Sequence, residues 1–200
     1  LNNKICDYIS SSFYDSRLTS DLITKTRSVN LKLNPIKDEG IFYVPIDHSG
    51  CSQRSDEEAD LVEKTFNKII NKDFKNGKST GKISAKDIMV VAPYNAQANN
   101  IRERLKKKYD DVRVGTIDLF QGQEAKVVLI SMTTSDVDSL PRHKDFFFSR
   151  NRLNVAISRA ECVAIIIFNE KLLLASTNSI EEMKLMNNFC KLLKFKTYYK

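Results

Sequence analysis

The chain has 200 residues, 42% of them hydrophobic, enough for one core of ordinary domain size. Lys and Arg outnumber Asp and Glu by 32 to 25, a formal charge of +7 that suits a phosphate-bearing partner without requiring one. The longest apolar run, Val163 to Phe168, is too short to cross a bilayer, which excludes a membrane-spanning helix. The four cysteines, Cys6, Cys51, Cys162 and Cys190, form no C-x-x-C pair and are read as having no nearby histidine to complete a metal-ligand spacing. They are read as reduced thiols of a cytoplasmic protein, or a nuclear one in a eukaryote, with no metal site expected.

Along the chain, Ile5, Ile9 and Phe13 recur at helical spacing directly after Leu1, as in a segment of a longer protein. A loose stretch follows to Gly40, then an apolar, partly β-branched run, Ile41 to Ile46, predicts a buried strand. Ser55 and Glu58 form a capping box for a helix whose apolar face is Ala59, Val62, Phe66 and Ile69. Residues 72–87 lack periodicity and hold Gly, Ser and Lys, predicting an exposed loop.

Ile88 to Ala92 is the next strand, and after Pro93 a helix carries Ala98, Ile101 and Leu105 on one side. Val112 to Ile117 and Lys126 to Met132 are two further strands joined by LFQGQE. A parallel crossover usually takes a dozen or more residues, so this connection is either compact and strained or joins an antiparallel pair. A loop over 135–151, a short helix over 152–160 and a strand from Val163 to Phe168 follow. Ser179 and Glu182 then cap a last helix carrying Ile180, Met183, Met186 and Leu193.

Strands alternating with helices and reading as continuous apolar runs predict an α/β fold, a mostly parallel sheet covered by helices on both faces. Ligands of such sheets bind beyond the carboxyl ends of the strands, so functional polar residues are expected just after strands.

Gly77 to Thr80 imitates the end of a phosphate-binding P-loop. The first glycine of that pattern falls on Lys72, however, and the segment follows a helix instead of leaving a strand. This is the weak basis for a rival reading as a nucleotide kinase; the segment reads better as an ordinary polar loop, and the chain lacks its own P-loop.

Three other clusters carry chemistry. APYNAQ, Ala92 to Gln97, leaves a strand and opens a helix, so Tyr94, Asn95 and Gln97 reach the sheet edge; Pro93 starting a helix capped by Asn95 explains it equally well. In GTIDLFQGQE, Gly115 to Glu124, Gly122 allows a backbone that other residues resist and a ligand's close approach. Glu124 suits sugar hydroxyls, against the plainer reading of a glycine bulge with solvated amides. RNRLNVAISRAE, Arg150 to Glu161, brings Arg150, Arg152 and Arg159 to one region. A guanidinium is always charged and forks onto phosphate oxygens; alternatively these arginines are solvated or pair with Glu161 or Asp145.

These three segments stand in the order and approximate spacing of helicase motifs IV, V and VI. The whole chain resembles the second RecA-like domain of superfamily 1B helicases, in the group of the nonsense-mediated-decay helicase and the replication nuclease-helicase. ISSSFYDSRL, Ile9 to Leu18, is similar to the segment after that family's YRM nucleotide motif, and GIFYVPIDHSG with RSDEEA, Gly40 to Ala59, to its domain entry. The resemblance implies one C-terminal motor domain over 1–200: residues 1–39 a helix and linker from a first motor domain, residues 40–200 the RecA-like core.

It also implies an ATP-dependent helicase whose first RecA-like domain holds the P-loop, most of the ATP and the Mg²⁺, moving 5′ to 3′ on single-stranded DNA or RNA. Arg159 would be the catalytic contact to the γ-phosphate, assisted by Arg152, and Gly122 with Glu124 would face the ribose. Tyr94, Gln97, Thr116 and Gln121 would lie near the strand. Relatives often carry an arginine at the position of Thr134 and a basic residue at that of Glu161, and these departures support the alternative of a non-catalytic nucleic-acid-binding or interaction module.

Overall fold

The computed structural model describes residues 1–22, 24–33, 36–77, 79–135 and 150–174, together with helical positions 180, 183, 184, 187 and 190. Five strands form one wholly parallel sheet: β2 (Gly40–Pro45), β5 (Ile88–Val91), β6 (Arg113–Gly115), β7 (Ala125–Ser131) and β8 (Ala160–Phe168), in the order β2-β8-β7-β5-β6. Their near-continuous apolar sequence reflects burial on both faces. Alternate residues face opposite cores. Met89 and Val91, Val128 and Ile130, and Ala164, Ile166 and Phe168 point one way; Ile88 and Val90, Val127 and Leu129, and Val163, Ile165 and Ile167 point the other.

Helices α2 (Asp56–Ile69) and α3 (Asn95–Lys106) cover the second face through Ala59, Val62, Phe66 and Ile69 and through Ala98, Ile101 and Leu105. The first face is covered by α1 (Asn3–Phe13) and α4 (Arg150–Ser158). Ile5, Tyr8 and Ile9 of α1 share one core cluster with Leu153, Ala156 and Ile157 of α4, so the first helix is built into the same domain as the sheet. Asn2 locks it in place: Oδ1 accepts from the Lys4 amide (2.9 Å), while Nδ2 donates to the Arg27 carbonyl (2.9 Å) and to Glu39 (2.6 Å). None of the described helices is long and apolar enough to cross a membrane.

Three expectations are corrected. The exposed loop over 72–87 is in fact largely a hairpin, β3 (Asp73–Asn76) and β4 (Ser79–Lys82), which pairs with β1 (Ser28–Asn30) into a small antiparallel sheet. Gly77 turns it at φ +62°, and Gly81 leaves room for the Phe74 ring, which would stand 2.7 Å from an added Cβ. The segment is polar because its faces are exposed or half-buried, so no apolar alternation advertises the strands. The P-loop imitation is thus a hairpin turn.

Second, β6 and β7 are neither antiparallel nor paired with each other. They flank β5, and the connection passes over it through a 3₁₀ turn, Ile117–Phe120. Third, Glu58 does not return to cap Ser55. The Ser55 hydroxyl does accept from the Glu58 amide (3.1 Å), but the Glu58 carboxylate is buried and turns toward His48, Ser131 and Thr133. Of the expected C-terminal helix, Ile180 and Met183 are exposed, not buried; Ser179, Glu182, Met186 and Leu193 lie outside the described residues, as does most of the 135–151 loop.

Candidate nucleotide and strand interfaces

The functional candidates separate to the two ends of the parallel sheet. At the carboxyl end, β5 and β6 finish side by side, tied by the Ala92 amide to the Gly115 carbonyl (3.0 Å). The chain leaving them lines a cleft of about 380 Å³ with Tyr94, Asn95, Thr116, Asp118, Arg152 and, from the β2–α2 loop, Gln53. Tyr94 is nearly buried, and burial pushes its phenol up to about 12, so it stays a neutral hydrogen-bonding ring at physiological pH. The cleft thus sets an aromatic ring and an arginine beside four hydrogen-bonding side chains, Gln53, Asn95, Thr116 and Asp118, groups of the kind that contact nucleic-acid backbones and bases.

Gln97, expected at this surface, is fully buried. Its Oε1 accepts from the Ser55 amide (2.9 Å), and its Nε2 donates to the Ser55 carbonyl (3.0 Å) and the Ser131 hydroxyl (3.1 Å). Two positions beyond Asn95 the helix turns this side chain inward, where it joins α2 to the end of β7. The strand-contact reading of Gln97 is therefore corrected to a structural one.

At the amino end, the polypeptide returning from the cleft forms the QGQE turn. Gly122 sits at φ +74° with open space where a side chain would project, and Gln121 and Glu124 are exposed. Arg113, opening β6, fastens the turn by donating to the Glu124 carbonyl (3.0 Å), the Gln123 amide oxygen (2.9 Å) and the Lys86 carbonyl (3.0 Å). Next to it, the Ala125 amide donates to the Arg159 carbonyl (2.9 Å). An irregularity between Ala125 and Val127 in the β7–β8 ladder marks the same spot, and such bulges re-aim nearby side chains.

Arg159 is half-buried, its Nε is shut off from solvent without a hydrogen-bond acceptor, and no ion pair forms with it among the described residues. Glu124 and Arg159 thus precede strands, contrary to the expectation that functional residues follow them. The 3₁₀ crossover and α4 both run backward along the sheet, carrying motifs that begin at the carboxyl end to the amino end. For the same reason Arg152 and Arg159, at opposite ends of α4 and roughly 10 Å apart along its axis, do not share a site. Arg152 lines the cleft with Tyr94 and Thr116. The side chain of Arg150 lies outside the described residues.

The two departures have local partners. The Thr134 hydroxyl donates to the Cys51 carbonyl (3.1 Å), and Glu161 lies 3.9 Å from Arg27. A larger depression, about 780 Å³, runs along Lys4, Arg27, Lys37 and Glu39 and includes no residue of either cluster. One of its cations, Lys4, is neutralised by Glu39 at 2.8 Å.

A family model described as an AAA domain matches residues 1–171. The chain belongs to that family. Within it, the relatives place this domain among the C-terminal domains of superfamily 1B helicases. It is 32% identical over 171 residues to the DNA polymerase alpha-associated DNA helicase A of Schizosaccharomyces pombe, covering 80% of this chain and 25% of that protein. It is 28% identical to an uncharacterized ATP-dependent helicase of Methanocaldococcus jannaschii, covering 86% and 26%. A putative helicase of Danio rerio, mov-10-B.1, is 31% identical over 56% of this chain and 12% of its own length. The helicase domain spans about a quarter of the first two curated relatives it matches. Sequence reading missed Gln53 and Asp118 in the cleft; Asp118 stands inside TIDLFQGQE, while Gln53 is brought there only by the loop's return.

Proposed function

We propose that this domain is the second half of an ATP-driven motor on single-stranded DNA or RNA, and that Arg159 is its arginine finger. The observation that carries the reading is Arg159, half-buried with its Nε closed to solvent and no described counter-ion, whose carbonyl accepts from the Ala125 amide at the end of the exposed QGQE turn. A guanidinium so placed has paid much of its desolvation cost before any phosphate arrives, which strengthens its attraction to developing phosphoryl charge.

Gly122 leaves its backbone open to a nucleotide, and Glu124 offers carboxylate oxygens to ribose hydroxyls. ATP supplies the phosphoanhydride whose cleavage drives the cycle; its P-loop, Mg²⁺ and hydrolytic base belong to a first RecA-like domain. Closure of that domain brings Arg159 onto the terminal phosphate, and product release lets the two domains separate again. The cleft of Tyr94, Thr116 and Arg152, at the opposite edge, holds the strand, and the rigid sheet and α4 join the two sites.

Arg159→Ala in the full-length protein tests this. Turnover of ATP should fall by on the order of 10³ or more while single-strand binding is kept. Unchanged hydrolysis removes the finger assignment, and absence of ATPase in the unaltered protein favours a non-catalytic binding module.

A further inference from the structure

The carboxyl end of the sheet holds a second constellation that the motor reading does not use. His48, Cys51 and Glu57, from the loop entering α2 and its first turn, each offer a ligand atom, and these atoms lie within 4.8 Å of one another. His48 is the decisive member. It is 5% exposed, and its Nδ1 is buried with no hydrogen-bond partner among the described residues.

Its other nitrogen is committed. Nε2 lies 3.1 Å from Oε1 of Glu58, whose other oxygen accepts from the Ser131 hydroxyl (2.5 Å) and the Thr133 amide (2.7 Å). A carboxylate accepting those two bonds takes the imidazole N–H as its third, which assigns the proton to Nε2 and leaves the Nδ1 lone pair unused. A histidine in a cluster with a thiol, one N–H held by a buried carboxylate and the other nitrogen's lone pair without a partner among the described residues, is the arrangement that orients metal-binding imidazoles.

We propose that His48 Nδ1, the Cys51 thiolate and a Glu57 carboxylate oxygen bind a borderline-soft divalent transition-metal ion of the Zn²⁺ class, with water completing the shell. Mixed sulfur, nitrogen and oxygen donors select this class over Mg²⁺ or Ca²⁺, which require oxygen. Tetrahedral bonds of about 2.0–2.3 Å set ligands roughly 3.3–3.8 Å apart. Cys51 Sγ and Glu57 Oε2 already stand at 3.8 Å, so binding requires only small adjustments.

The ion's place gives it a role. Cys51 exchanges backbone bonds with Ser135, the Ser135 amide donating to the Cys51 carbonyl (2.9 Å) and the Cys51 amide to the Ser135 hydroxyl (3.2 Å). Gln53, two residues on, lines the strand cleft. Metal binding therefore clips the loop that supplies one wall of that cleft. The metal site itself does not depend on the motor assignment.

The test uses the full-length protein, stripped with chelator and kept reduced, titrated with Co²⁺ and then with Zn²⁺ against a chromophoric chelator. The expected result is one tight equivalent with a thiolate-to-cobalt charge-transfer band. That band should vanish in Cys51→Ser, and Glu57→Gln should weaken binding. Ser131→Ala, which loosens Glu58, should weaken it by roughly 10–100-fold. No thiolate band at stoichiometric Co²⁺, or an unchanged band in Cys51→Ser, overturns the site. Cys51 and Glu57 are half-buried and exposed, so both variants should fold.

Discussion

Gln97→Ala separates a structural amide from a strand-binding one. In the folded domain this side chain makes three hydrogen bonds, to the Ser55 amide, the Ser55 carbonyl and the Ser131 hydroxyl, with no solvent to replace them. Each contributes about 1 kcal/mol net, and truncation also strands the buried partners, so the loss should be about 3–5 kcal/mol. In a domain of this size 1 kcal/mol corresponds to roughly 2–4 °C in Tm, and the domain should therefore melt about 6–20 °C lower. The assay is thermal and urea unfolding, paired with single-strand affinity measured well below the variant's Tm. There the affinity should be almost unchanged. An unaltered Tm together with a large loss of strand affinity would show that the amide faces the ligand, contradicting the buried geometry.

Two further perturbations probe the same framework. The Tyr43 hydroxyl is buried without a partner among the described residues, so Tyr43→Phe should leave Tm unchanged or raise it, by up to about 2 kcal/mol of stability; a clear loss in urea melts would reveal a hydrogen bond to that oxygen. Burial pushes the Asp87 carboxyl up, but Lys126, the Ser84 hydroxyl and the Ser84 amide together pull it below its ordinary value. A lowered folded-state pKa contributes stability above the unfolded value, near 3.9, that is lost as pH falls through the folded one. Asp87→Asn should thus be less stable at neutral pH, and its deficit should shrink below about pH 4. A deficit that stays constant into acid would exclude the ion pair as its source.

The α/β class was legible because the buried faces of α2 and α3 repeat at the helical period, while the strands, covered on both faces, read as continuous apolar runs. The hairpin was not: Asp73 to Lys82 is polar on its accessible faces, and only Phe74 and Gly81 betray the packing. Glu58 shows a different limit. Ser55-x-x-Glu58 has the spacing of a capping box, and the amide half forms, yet the carboxylate finds His48, Ser131 and Thr133 across the sheet end. The expectation that the cysteines lack a histidine at metal-ligand spacing fails at His48, which stands three residues before Cys51, and only the fold brings Glu57 beside both.

What the residues alone determined is the set of local chemistries: motif content, helix and strand periods, and the arginines and glycines able to meet phosphate. Which of these act together was decided by the direction in which elements cross the sheet. Because α4 and the QGQE turn run back from carboxyl to amino end, the Arg159 backbone meets the end of that turn at Ala125, while Arg152 lines one cleft with Tyr94 and Thr116. One turn of α3 likewise decided that Gln97 faces the core. Neighbours in sequence were separated and distant residues joined, because a parallel sheet sorts its connections by end, a property of the closed fold and not of any local stretch.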